Sequence, residues 1–149
     1  MKTIASLVLA AIAATTAAPA LAQPQFAQPA DAIKYRQDTF KELRDNFGRV
    51  GNIASGKAPF DARIAADSAA AAAEIIRKLW AGFGPGTEGG KARPAIWKEQ
   101  DRFKELAVKA EGELDKLAAA AKTGSLDAIK AAIGPAAASC KACHDAYRN

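Results

Sequence analysis

Histidine is almost missing from this 149-residue chain: it occurs once, as His144. Cysteine occurs twice, as Cys140 and Cys143, and the one methionine is Met1. Such a set cannot fill a four-ligand zinc site of Cys and His. Long hydrophobic runs are scarce as well. The apolar stretch from Ile4 to Ala14 is too short to span a bilayer, and no later stretch is apolar enough to do so. Alternating period-2 segments are absent, which excludes a sheet-based core. Aromatic residues make up only 7% of the chain. Charge of one sign is nowhere concentrated: 21 Lys and Arg against 16 Asp and Glu give a formal charge of +5. A nucleic-acid surface needs a basic stripe, and the alternation of signs here argues against that partner.

What is present begins with a leader. Met1-Lys2 is a short positive segment, Ile4 to Ala14 is its apolar core, and Ala20-Leu21-Ala22 is a small-x-small cleavage site. The expected domains are therefore a cleaved signal peptide, 1–22, and one mature domain, 23–149. Loss of Lys2 leaves a charge of about +4. A leader of this bacterial type places the mature chain in the periplasm.

The mature chain reads as four amphipathic helices. Ile33, Arg36, Phe40, Leu43, Phe47 and Val50 fall at helical steps, which predicts a first helix from about Ala32 to Phe47. Asp31 is its expected N-cap, with Pro29 as the other possible start. Gly48 to Pro59 then reads as a loop. Asp61 caps a second helix reaching about Trp80, whose Ala69–Ala73 run favours helix and allows close approach inside the bundle or across a dimer. Ala81 to Arg93 is the longest connection, bracketed by Trp80, Phe83 and Trp97. It contains a formal GxGxxG at Gly84–Gly89, but a nucleotide fingerprint must follow a strand and open a helix. The third helix is predicted from Pro94 to about Ala121, with Gly124 beyond its end. Ser125 caps the fourth. Leu126, Ile129, Ile133, Ala136, Cys140, Cys143 and Tyr147 form its stripe, and Gly134-Pro135 predicts a kink or a fresh start. The expected fold is all-α, an antiparallel four-helix bundle.

The chemistry sits at the end of that fourth helix. Cys140-Lys141-Ala142-Cys143-His144 matches the attachment pattern of a c-type haem. The two thiols can add to the porphyrin vinyl groups, and His144 can bind the iron axially. A redox or structural disulfide and half a zinc site are the other readings. A thioredoxin-like site would need a preceding strand and a following βα chain, and only five residues follow His144. Electron-carrying haems of this type hold iron between His and a second Met or His. The mature chain offers neither, so the sixth position is expected to be open, on a five-coordinate, high-spin iron. Phe40 either packs as ordinary core or stands over the open face. Arg36 either snorkels to the bundle edge or pairs with a haem propionate, with Gln37 beside it.

Three segments carry a family resemblance: Ala32–Gln37, Phe83–Gly90 and Ser139–Arg148. Together they resemble cytochrome c′, the high-spin class II c-type cytochromes of bacterial periplasms. The resemblance implies one covalent haem c in a four-helix bundle, a homodimer, His144 as proximal iron ligand, and an apolar distal side chain at Phe40. It implies Arg36 and Gln37 at the propionates and Arg148 beside the proximal face. Thr87 and Glu88, in the second segment, complete the cofactor-binding set. It further implies binding of NO and CO with rejection of O2.

Two roles compete. The first is a periplasmic haem protein that binds NO and CO and sequesters or carries NO. The second is an electron-transfer protein between periplasmic redox partners. An enzyme such as a peroxidase ranks last, because a bare Phe40 supplies no distal acid or base.

Overall fold

The computed structural model describes residues 26–149. The leader and its cleavage site lie outside the described residues. Five helices follow in order: α1 (Pro29–Ala54), α2 (Ala62–Leu79), α3 (Ala95–Lys98), α4 (Gln100–Lys122) and α5 (Leu126–Tyr147). A 3-10 turn, Trp80–Phe83, extends α2. Among the described residues the only extended pairing is an isolated bridge between Ala92 and Arg148.

α1 is longer than its periodicity suggested at both ends. Pro29 occupies the first turn, where its missing N–H costs nothing. Asp31 is not the N-cap. It lies inside the first turn and accepts the backbone N–H of Gln28 at 3.2 Å. The helix then runs through Gly48 and Gly51, which were expected to start a loop. Each glycine costs about 1 kcal/mol relative to alanine. Val50, between the two glycines, and Ile53, just past them, are 0% and 3% exposed. Burying such side chains contributes about 1.5–3 kcal/mol each, so packing outweighs propensity.

Asp61 caps α2 as expected, accepting the N–H of Ile64 at 2.9 Å. Ser125 caps α5 in the same way through the N–H of Ala128 at 3.2 Å. The predicted third helix is two pieces. Pro94 opens only the single turn of α3, and Glu99, at φ −120° and ψ 45°, breaks the path before α4. The break folds Ile96 onto Phe103 and Tyr147 in a small second core. It also lets the Tyr147 hydroxyl donate to Glu99 Oε2 at 2.9 Å.

α5 is one helix through Pro135, not a short helix and a fresh one. The carbonyl of Ala131 loses its usual donor there. Ala131 and Pro135 are both exposed, so water can take that bond.

Cross-helix contacts fix the directions. Tyr35 bonds the carbonyl of Lys78, and Arg49 bonds Ser68, so α1 and α2 run antiparallel. Arg77 meets Asp115 while Gly124 lies beside Ala62, so α2 and α4 do too. Tyr147 above Phe103 gives the same relation for α4 and α5. The result is an antiparallel four-helix bundle with Val50, Leu79, Leu114, Leu117 and Ile129 fully buried at its centre. Ala69, Ala72 and Ala73 are buried inside it, which assigns most of the alanine run to the bundle core.

Candidate functional site

Helical spacing places Cys140, Cys143 and His144 on one side of the last turns of α5. All three are half-buried, and both thiols are free. Burial pushes the Cys140 thiol up. Burial and then the neighbouring Cys140 push Cys143 up to about 11. His144 moves the other way: burial, then the Arg148 charge, lower it, against a smaller opposing effect of Asp145. At neutral pH the site thus presents two protonated thiols and a neutral imidazole. The neutral imidazole is the form that binds a metal.

A clasp holds this end of α5. The backbone N–H of Arg93 donates to the Tyr147 carbonyl at 2.9 Å, and that of Asn149 donates to Lys91 at 2.9 Å. The Arg93 guanidinium reaches the carbonyls of Asp145 at 3.2 Å and Ala146 at 3.3 Å. Cations at a helix C-terminus also complement its dipole. Nothing in the periodicity of the chain marks Arg93, because it acts from a loop.

Phe40 faces the site from α1. Its ring centre is 6.0 Å from that of His144, with the planes 60° apart. Behind it stands Phe83, at 6.5 Å and 77°, an edge-on arrangement. Phe83 in turn packs on Phe103 at 5.0 Å, Trp80 at 6.3 Å and Trp97 at 6.4 Å.

Arg36 does not snorkel. It is 5% exposed, and it holds the connection after the 3-10 turn. Its Nη1 donates to the carbonyls of Gly82 and Thr87, each at 2.6 Å, and its Nη2 to Gly89 at 2.9 Å. The guanidinium lies 5.0 Å from the Phe83 ring centre and 5.8 Å from that of Trp97. Burial pushes its pKa down, and Glu88 works against that. A guanidinium has five N–H donors, and three of them are used here. Thr87 is buried, and its hydroxyl donates to the Gly84 carbonyl at 2.6 Å. Gln37, Glu88 and Arg148 are exposed. The structure therefore gathers Cys140, Cys143, His144 and Phe40 at one place and ties Arg36 to Thr87. Gln37 and Glu88 stay at the surface. The GxGxxG segment follows a 3-10 turn rather than a strand, as the turn reading requires.

A flat cofactor fits these residues. α1 and α5 touch less than the other neighbouring long helices. One presents two thiols and a metal-binding nitrogen, and the other presents an apolar ring.

The model of the family described as cytochrome C′ matches residues 31–148. The chain belongs to the cytochrome c′ family. A cytochrome c′ from Alcaligenes xylosoxydans xylosoxydans is 47% identical over 128 residues, covering 83% of this chain and 98% of the relative. A cytochrome c′ from Rubrivivax gelatinosus is 45% identical over 127 residues, covering 83% of this chain and 98% of the relative. Among solved structures, a nitric oxide complex of a cytochrome c prime variant from Alcaligenes xylosoxidans matches with a TM-score of 0.81 at 45% identity, covering 84% of this chain and 99% of that one. These matches bear out the four-helix bundle expected from the sequence. The cofactor of cytochrome c′ is a covalent c-type haem.

Proposed function

We propose that this chain is a periplasmic NO- and CO-binding haem protein that sequesters or carries NO. Cys140 and Cys143 attach the haem as thioethers, and His144 is its proximal ligand. When bound, the haem supplies an iron that can take a small diatomic ligand. The chain's own residues then decide what binds. Phe40, opposite His144, offers bulk and no hydrogen bond. Bound O2 carries partial negative charge and gains from a donor, so this surface disfavours it relative to NO and CO. Arg36 and Gln37 meet the propionates; Thr87 and Glu88 border the same edge, and Arg148 stands near the proximal side.

The observation that carries this reading is the Phe40–His144 pair at 6.0 Å. An apolar ring this near the imidazole supports a haem face without a second protein ligand. The mature chain from about Gln23 has no methionine and no second histidine to take that place. The nitric oxide complex of a similar protein supports the ligand class. No described helix is long and apolar enough to cross a membrane, which is compatible with an exported domain. Phe60 and Ile64, each 42% exposed near the start of α2, give a homodimer an apolar surface to cover.

Optical spectra of the purified holoprotein test the proposal. The ferrous form should change on addition of NO and of CO and form no stable O2 adduct. Ferrous bands indifferent to NO would exclude gas binding and leave electron transfer as the role.

A further inference from the structure

Phe40 is not held by the bundle core alone. Its edge-on neighbour Phe83 closes the 3-10 turn Trp80–Phe83. That turn is pinned from beneath by Arg36, one helical turn before Phe40 on α1. The guanidinium bonds the carbonyls of Gly82, Thr87 and Gly89 and lies 5.0 Å from the Phe83 ring centre. The approach at Gly82 is so close that an added Cβ would stand 2.7 Å from Arg36 Cγ and 3.1 Å from Tyr35 Cδ1. Arg36 cannot yield cheaply, because three hydrogen bonds fix its far end. Two residues four apart on one helix thus meet the same turn: Arg36 locks its backbone, and Phe40 leans on the ring it carries.

We infer that Arg36 and Phe83 are positioning residues that hold the Phe40 ring in place and thereby set the rate at which small ligands enter. The inference rests on the gas-binding reading above. A ligand entering on the Phe40 side needs that ring to move aside. With Phe83 at its back, the ring has less room to do so. Side chains in contact are coupled in this way, whereas distant ones act independently. The glycine at position 82 is explained by the same contact: it admits the Arg36 stem.

The test is the association rate of CO with the reduced holoprotein, compared among wild type, Phe83→Leu, Gly82→Ala and Phe40→Ala. Gly82→Ala keeps every aromatic ring and disturbs only the seat of the turn on Arg36. Both Phe83→Leu and Gly82→Ala should speed association by roughly threefold or more, within the range of coupled neighbours. In a Phe40→Ala background the same two substitutions should change the rate by less than about half that factor, because no ring is left to hold. General loosening of the fold would give the same acceleration in both backgrounds. Circular dichroism and the haem spectrum identify a variant that fails to assemble, and the other variant then decides. Rates unchanged by the assembled variants, or changed equally with and without Phe40, would overturn the inference. Failure of wild type to bind CO at all would instead overturn the gas-binding reading.

Discussion

The rings of Phe40 on α1 and His144 on α5 stand 6.0 Å apart across the bundle, with their planes 60° from one another. One is the chain's only imidazole, and the other has no polar atom. A metal-bearing ring between these helices would meet a ligand on one face and hydrocarbon on the other. On the proposed reading, that pairing gives a haem held here two unlike faces.

Shortening the side chain at this point should open the entry side. Phe40→Ala is expected to raise the CO association rate of the ferrous protein roughly tenfold, equivalent to removing about 1.4 kcal/mol of barrier. The attachment bands of the haem should not move, since Cys140, Cys143 and His144 lie on another helix. Flash photolysis gives the rate directly. A slower or unchanged rate would show that Phe40 does not obstruct the ligand.

Stability of the haem-free chain should depend on pH in two windows. His144 has a lowered pKa in the folded chain relative to an ordinary value of 6.5. Below that value the unfolded chain binds the proton more readily, so stability should fall as pH falls. The thiols have raised values relative to 9.0. Above about 9 the unfolded chain releases its protons first, so stability should fall again as pH rises. Urea midpoints across pH 5 to 11 should therefore show a plateau between the windows. A chain lacking the three groups, Cys140→Ala/Cys143→Ala/His144→Ala, should lose much of both slopes.

Pro135 lies within α5 and leaves the Ala131 carbonyl without its helical donor. Pro135→Ala removes a cost of about 3 kcal/mol. It also gives back about 1 kcal/mol of unfolded-chain freedom. The net expectation is a stabilisation of about 2 kcal/mol, read from urea unfolding. A loss of stability would mean that the packing of α5 on α4 depends on the proline.

Asp61 and Ser125 each satisfy a backbone donor at the start of a long helix. Asp61→Ala should cost about 1 kcal/mol. The spectrum and ligand kinetics should stay as in wild type, because α2 contributes its first turn far along the chain from the site. A much larger loss would assign Asp61 a role beyond capping.

The sequence made the bundle legible because four stripes at helical spacing leave few other folds. It made the donor set legible because two thiols and an imidazole share five consecutive residues. The helix ends were harder. Gly48 and Gly51 signal a stop by propensity, while the burial of Val50 and Ile53 carries α1 onward. Pro94 signals the start of a long helix, and Glu99 breaks it after one turn to reach Tyr147. Arg36 on an apolar stripe flagged something unusual, but its three carbonyl partners come from residues 46 to 53 positions away. Arg93 could not be found at all, since its partners, two backbone carbonyls and the Asn149 side chain, lie at the far end of the chain.

On the proposed reading, the haem iron keeps one axial position free of protein ligands. Electron paramagnetic resonance of the ferric holoprotein at neutral pH tests it most directly. A high-spin signal with no low-spin component is expected if His144 is the protein's one axial donor. A dominant low-spin signal would mean that a second strong ligand from the chain holds the iron, and would contradict it.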